Sequence, residues 1–168
     1  MNTTPFAEAT HTTSNDHSRR SHRVTALLSA VVLAFGVLLT AGAVAAPAQA
    51  TSVEDIFRAK LNHARTVRHI HRLESRPALV KVAREQARRM AASSTLYHNP
   101  TLTTDVRNWR YVGENVGYGP DALTIHRAFM HSPGHRANIL DRDYTQVGIG
   151  AVVVDGRVWV AEVFRRPA

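Results

Sequence analysis

Two histidines and one glutamate carry the chemistry that this sequence offers. Each lies in a short block of polar and turn-forming residues, in the order Tyr97-His98-Asn99, Gly113-Glu114-Asn115 and Ser132-Pro133-Gly134-His135. Imidazole nitrogens bind zinc or copper, and a carboxylate can complete a set of three ligands that leaves one coordination position open. The same groups could act as general acid and base without metal, since histidine titrates near neutral pH. In a third, purely structural interpretation, the histidines fix loops and Glu114 caps backbone amides.

The residues beside these three candidates are of types that can hold the surrounding loops in place and so shape a cleft. Gly113 and Gly134 each precede a candidate, where a close approach or a left-handed backbone would require glycine. Asn115 and Asn138 can tie loops through local backbone hydrogen bonds. Ser132 is a poor candidate for a nucleophile, because no G-x-S-x-G turn surrounds it. The predicted cleft-shaping set is Asn99, Gly113, Asn115, Ser132, Gly134, Arg136 and Asn138.

Helical spacing of apolar residues predicts the elements that must position this site. A capping box at Thr51–Glu54 opens a first helix, and a second runs from about Ala78 to Ser93. Residues 96–119 are rich in Gly, Asn and Pro and are predicted to be a loop. A third helix is predicted from Pro120, ended by Ser132-Pro133-Gly134.

The last quarter of the chain predicts a hairpin. Residues 147–154 and 157–164 are rich in β-branched and apolar residues, and Asp155-Gly156 between them is typical of a two-residue type I′ turn. Helices followed by a hairpin indicate an α+β fold, with three or four helices packed on a small antiparallel sheet.

The N-terminal segment predicts export. A basic stretch ending at Arg23 precedes an apolar run over residues 24–46, and Ala48-Gln49-Ala50 offers a cleavage site. The run is also long enough to span a bilayer, so an uncleaved anchor is the alternative. We therefore divide the chain into 1–50, a signal peptide or N-terminal anchor, and 51–168, one domain. The domain is expected to be extracellular, or held at the cell surface by residues 24–46, which would be its only contact with the membrane.

Composition limits the partners. The chain contains no cysteine, which excludes disulfides, thiolate metal sites and a lipid-modified cysteine. Residues 51–168 hold 18 Lys and Arg against 11 Asp and Glu, a formal charge of +7. Such a surface attracts nucleic acid, acidic lipid or anionic envelope polymers. Export and the lack of an aromatic stacking platform exclude nucleic acid, and we expect a monomer.

The ordered blocks resemble a known family. Gly113-Glu114-Asn115, the run Ser132–Leu140 and Val147-Gly148-Ile149-Gly150 are similar to the CAP (SCP/PR-1-like) superfamily in its bacterial, cysteine-free form. His98 and the early Leu61-Asn62, with Arg65 three residues on, fit as well. The resemblance spans about residues 53–164 and implies an α-β-α sandwich.

The resemblance also implies a shared cleft for His98, Glu114 and His135, and in some members paired histidines bind a divalent metal. A second glutamate that many eukaryotic members carry before the second histidine has no counterpart in residues 129–134. The prediction is therefore a secreted binding module, not a classical enzyme, whose cleft meets an envelope component, a lipid or a secreted protein. Zinc held by His98, His135 and Glu114 is the predicted cofactor. The alternative is a metal-assisted hydrolase of peptide or cell-wall material.

Overall fold

The computed structural model describes residues 51–168, which form five helices and four strands. In chain order these are α1 (Val53–Thr66), β1 (Glu74–Ser75), α2 (Pro77–Ser93), α3 (Leu102–Asp105), β2 (Tyr111–Gly119), α4 (Ala122–His131), α5 (Pro133–Leu140), β3 (Gln146–Val154) and β4 (Arg157–Arg166). The predicted signal or anchor, residues 1–50, lies outside the described residues. Across 51–168, no helix combines the length and the apolar character needed to cross a bilayer.

Helix α1 begins one residue later than the predicted capping box. The Ser52 hydroxyl, not that of Thr51, accepts a hydrogen bond from the Asp55 N–H at 3.1 Å and donates to the Asp55 carboxylate at 2.8 Å. This leaves Glu54 free to reach other layers. Its carboxylate accepts from the Arg84 guanidinium on α2 and from the Ala151 N–H on β3. Glu54 was predicted to cap α1, but because the cap lies one residue later, its side chain instead links α1 to α2 and β3.

The four strands form one sheet in the order β1-β3-β4-β2. Strands β3 and β4 are the predicted hairpin, and both turn residues have positive φ, 50° for Asp155 and 69° for Gly156. A type I′ turn requires this conformation. Strand β2 pairs antiparallel with β4 over its whole length and is the last strand of the sheet. The two-residue β1 pairs parallel with β3.

Helices cover both faces of this sheet, so the predicted α-β-α sandwich is confirmed. Helix α2 packs on one face, against a buried cluster that includes Val116, Trp159 and Val163. Helices α1, α4 and α5 pack on the other face, against residues such as Val147 and Phe164. Because side chains alternate along a strand, neighbouring residues of β2 face opposite layers.

Glycine lets α2 lie unusually close to the sheet. A Cβ at Gly150 would come within 2.0 Å of the Arg84 amide nitrogen, and one at Gly148 within 2.1 Å of the Leu79 carbonyl carbon. Both contacts are with helix backbone, which cannot move aside without displacing the whole helix. The sheet and α2 therefore meet backbone to backbone at these two positions.

Two elements contradict the predictions. Residues 111–119 form a full strand, β2, where a loop was predicted from the frequent Gly and Asn. The strand forms because β4 supplies its hydrogen bonds, and its glycines make room for side chains of α4. Ser132-Pro133-Gly134 ends α4 as predicted, but Pro133 is also the first residue of another helix, α5. Proline is well suited to that position, since it has no N–H to satisfy.

A fully buried arginine joins α1 to α5 and to the start of β3. The Arg65 side chain has no exposed surface. Its guanidinium donates to the carbonyls of His71, Ile139 and Asp141 at 2.8 Å each, and to that of Tyr144 at 3.3 Å. The carbonyls of Ile139 and Asp141 lie at the C-terminal end of α5, where positive charge is favourable.

We expect Gly150→Ala to lower the free energy of unfolding by about 2 kcal/mol or more, because the new methyl group overlaps the α2 backbone. Gly134→Ala is the matched control. A Cβ there meets nothing within 4 Å, so alanine in helix α5 should be neutral or stabilising by about 0.5–1 kcal/mol. Urea unfolding of the full-length protein measures both. Equal effects of the two changes would contradict the close packing of α2.

We expect Arg65→Lys to cost about 3 kcal/mol or more of unfolding free energy. A single ammonium cannot replace the guanidinium fork, and buried carbonyls lose their donors. Arg58→Lys on the same helix is the control, since Arg58 is exposed and forms only a surface ion pair with Asp55. That change should cost less than about 0.5 kcal/mol. If both variants unfold at the same urea concentration, the role assigned to Arg65 is wrong.

Candidate functional site

His98 and Glu114 form a hydrogen-bonded pair at the edge of the sheet. His98 Nδ1 lies 2.9 Å from Glu114 Oε2. The Glu114 side chain is 2% exposed, whereas that of His98 is 64% exposed. A buried carboxylate therefore orients an imidazole that projects into solvent. With its proton on Nδ1, His98 donates to Glu114 and presents Nε2 outward as an acceptor.

Asn99 holds the segment that carries His98. Its backbone N–H donates to Glu114 Oε2 at 2.9 Å, so one carboxylate oxygen receives both Asn99 and His98. The Asn99 side chain accepts from the Thr101 N–H and donates to the Asp105 carboxylate, both at 3.0 Å. These contacts anchor the segment between α2 and α3 on strand β2. The position of His98 is thus fixed by its own side chain and by the residue that follows it.

His135 approaches from the other layer of the sandwich. It lies on α5, and its ring packs against Phe129 with centroids 4.7 Å apart. Partial burial lowers the pKa of His135, and the nearby positive charge of protonated His98 lowers that pKa further. The pKa of His135 therefore lies below the usual value for histidine, and the two imidazoles are close enough for their charges to interact.

A buried amide network fixes α5 against β2 beneath the histidines. Asn115 Nδ2 donates to the His135 carbonyl at 3.2 Å and to Glu162 Oε2 at 3.0 Å. Asn138 Nδ2 donates to Asn115 Oδ1 at 3.0 Å and to the Glu114 carbonyl at 3.2 Å. The network joins β2, α5 and β4, so it connects the supports of both histidines.

The remaining predicted cleft residues have different environments. A Cβ at Gly113 would lie 2.4 Å from the Tyr144 hydroxyl, so a side chain there would have to displace Tyr144. Gly134 lies in α5 beside open space, and neither its backbone nor its packing requires glycine. Ser132 is the extended residue between α4 and α5. Arg136 is exposed and lines a groove between α1 and α4.

Glu162 is a site residue that the sequence reasoning missed. It is fully buried on β4, and burial raises its pKa to about 7, against an ordinary value of 4.5, although the hydrogen bond from Asn115 opposes the shift. Its Oε1 has no hydrogen-bond partner within residues 51–168. The available signal was one acidic residue inside the otherwise apolar run Val158–Phe164.

The predicted set of three metal ligands is not assembled in this arrangement. Glu114 Oε2 already receives two hydrogen bonds, and Oε1 is buried without a partner. No group of three or more His, Asp or Glu side chains within 51–168 is placed to hold a metal ion. Glu114 fits instead as the carboxylate that orients His98, a role that carboxylates also play toward metal-bound imidazoles. Zinc binding by the two histidines stays a prediction.

The domain is an α-β-α sandwich in which a carboxylate on the edge strand β2 orients a histidine. The pattern of the cysteine-rich secretory protein family, CAP, matches residues 58–163. The chain therefore belongs to the CAP family, as the motif resemblance predicted, although it contains no cysteine. No curated protein matches the sequence.

Solved structures of low sequence identity share the fold. An outer surface protein of Borrelia burgdorferi is 18% identical with a TM-score of 0.64, and the match covers 69% of this chain and 93% of that one. A cysteine-rich secretory protein of Staphylococcus aureus is 19% identical with a TM-score of 0.60, over 72% of this chain and 41% of that one. An extracellular SCP-domain protein of Bacillus anthracis is 23% identical with a TM-score of 0.56, over 68% and 39%. The chain thus matches about two fifths of the latter two proteins.

We expect the raised pKa of Glu162 to make stability fall as pH rises. The folded protein keeps this proton up to about pH 7, whereas the unfolded chain loses it near 4.5. Relative to Glu162→Gln, the free energy of unfolding of the wild type should decrease by about 3 kcal/mol between these two pH values. Histidine titrations contribute to both proteins and cancel in the comparison.

Urea unfolding at several pH values from 4.5 to 8 measures this difference. Glutamine is the suitable variant because it keeps an oxygen that can accept the Asn115 hydrogen bond and carries no charge. If wild type and variant show the same pH dependence, Glu162 does not hold a proton in the folded state.

Proposed function

We propose that this protein is an exported binding module that recognises a component of the cell envelope through His98 and His135. One observation carries the proposal: His98 is 64% exposed, yet a carboxylate that is 2% exposed holds it in place. A polar group that is both exposed and fixed loses little freedom when a partner binds, and this favours recognition. His135 offers a second imidazole across the edge of the sheet.

Binding is favoured over hydrolysis by the openness of this site and by its chemistry. Catalytic electrostatics gain their strength where water is excluded, whereas His98 projects into solvent. The Ser132 hydroxyl forms no hydrogen bond with a histidine among residues 51–168, so it is not activated as a nucleophile. Glu114 Oε2 accepts hydrogen bonds from His98 and Asn99, and Oε1 is buried, so neither oxygen is exposed to a water molecule that it could activate.

The proposed location rests on two independent supports. The N-terminal sequence predicts export, and two proteins of similar fold are described as an outer surface protein and an extracellular protein. An envelope component also suits the charge of the domain, +7 over residues 51–168, because bacterial envelopes are rich in anionic groups.

The metal-assisted hydrolase is the second candidate, and the His98–Glu114 hydrogen bond favours it. A carboxylate on Nδ1 leaves Nε2 as the nitrogen that would bind zinc. The discriminating measurement is the zinc content of protein purified without chelator, compared with the His98→Ala, His135→Ala double variant. One zinc per chain that is lost in the folded double variant, together with cleavage of a peptide or cell-wall substrate, would replace the binding proposal.

We expect the full-length protein to co-sediment with purified cell walls from which phosphodiester polymers have been removed, and His98→Ala to bind them at least about tenfold more weakly, a loss of about 1.4 kcal/mol. Glu114→Gln should weaken binding as well, because it removes the charged partner that orients His98. His69→Asn is the control: it replaces an exposed histidine of positive φ with a residue that tolerates that conformation. Binding by His98→Ala equal to that of the wild type would refute the proposal.

A further inference from the structure

A groove between α1 and α4 gathers positive charge outside the histidine–glutamate site. Its volume is about 450 Å³, and neither His98, Glu114 nor His135 lines it. Helix α1 and the residues after it supply Lys60, His63 and Arg68. Helix α4 supplies His126, Arg127 and His131, and α5 adds Arg136. No carboxylate lines the groove.

The four bases of this groove form no salt bridge with a carboxylate of residues 51–168. Across residues 51–168, Arg58, Arg76, Arg84, Arg88 and Arg166 all form salt bridges with Asp or Glu. Lys60, Arg68, Arg127 and Arg136 form none within the same residues. Arg68 donates to the Ala64 carbonyl at 2.8 Å, and Arg127 makes only a long contact of 3.4 Å with the Thr124 hydroxyl. Most of their donors face the groove or solvent without a protein acceptor.

A buried histidine at this groove has an unused ring nitrogen. His126 is 9% exposed, and its Nδ1 is buried with no hydrogen-bond partner among residues 51–168. A buried polar atom without a partner is costly. This nitrogen is enclosed by the protein, so an anion in the groove would act on His126 through its charge and not by contact with Nδ1. Burial lowers the pKa of His126, and the charges of Lys60 and His63 lower it further. The groups facing it, from α1, its own helix and α5, are basic or histidine.

We propose that the α1–α4 groove binds a phosphodiester polymer of the cell envelope, with successive phosphates on its arginine and lysine side chains. Guanidinium groups hold phosphate oxygens through paired hydrogen bonds, and lysine adds a point charge. The bases lie on three elements, α1 with the turn that follows it, α4 and α5, so the groove can hold more than one phosphate group along its length. Ala64 and Met130 line the groove between the bases and give the carbon atoms of such a polymer an apolar surface.

The charge pattern also predicts how pH changes binding. An anion in the groove opposes the field of Lys60 and His63, so it raises the pKa of His126. The polymer therefore binds more tightly as pH falls from 7.5 to 5.5, since protonated histidines add positive charge. His126→Gln removes one titrating group while keeping a polar side chain of similar reach, so its affinity should depend less on pH.

The test is calorimetric titration of the full-length protein with short poly(glycerol phosphate) at low salt. We expect Lys60→Gln, Arg127→Gln to bind at least tenfold more weakly than the wild type. The matched control, Lys81→Gln, Arg88→Gln on α2, removes the same net charge elsewhere and should bind within twofold of the wild type. Thermal unfolding confirms that each variant is folded. His98→Ala should also bind normally, which separates this proposal from that for the histidine site.

Three results would overturn the proposal. Equal losses in the two double variants would mean that binding follows net charge and not the groove. Inorganic phosphate that binds as tightly as the polymer would reduce the site to a single phosphate. Vesicles of phosphatidylglycerol that bind more tightly per phosphate than the polymer, through Lys60 and Arg127, would assign the groove to a lipid surface.

Discussion

The guanidinium of Arg65 is the interaction on which the candidate site depends. It is fully buried and donates to four carbonyls, which lie after α1, at the end of α5 and just before β3. Since α5 carries His135 and Asn138, this one side chain fixes the C-terminal end of the helix that bears both residues. A smaller cation would leave several of those carbonyls without donors, and an apolar residue would leave all of them so.

Strand β2 gives the site its two-sided form. Glu114 faces the α2 layer and holds His98, whereas the next residue, Asn115, faces the α4–α5 layer and holds the backbone of His135. The histidines therefore reach the same edge of the sheet from opposite faces. Two buried carboxylates support them in different states: Glu114 accepts from His98 and the Asn99 amide, whereas Glu162 takes up a proton near neutral pH because one hydrogen bond does not offset its burial.

Elements with a strong local signal were predictable, and those that depend on a distant partner were not. The period of α2 and the Asp155-Gly156 turn are properties of neighbouring residues, and both predictions are confirmed. Strand β2 has the composition of a loop because its glycines make room for α4, and its hydrogen bonds come from β4, more than forty residues later. Helix α5 was not predicted, because a proline after a helix usually signals its end, whereas Pro133 is also the first residue of the next helix.

By itself the sequence determined the family, the three blocks that carry the site and the excess of basic residues, because residue type and spacing encode these directly. Only the tertiary structure decided what each group does. Glu114 orients His98 because folding places two side chains sixteen residues apart within 2.9 Å of each other, and the pKa of Glu162 rises to about 7 because folding buries its carboxyl group. The role of Lys60 and Arg127 also depends on the fold, since nothing in the sequence distinguishes them from other basic residues. They share a groove without carboxylates because α1 packs beside α4.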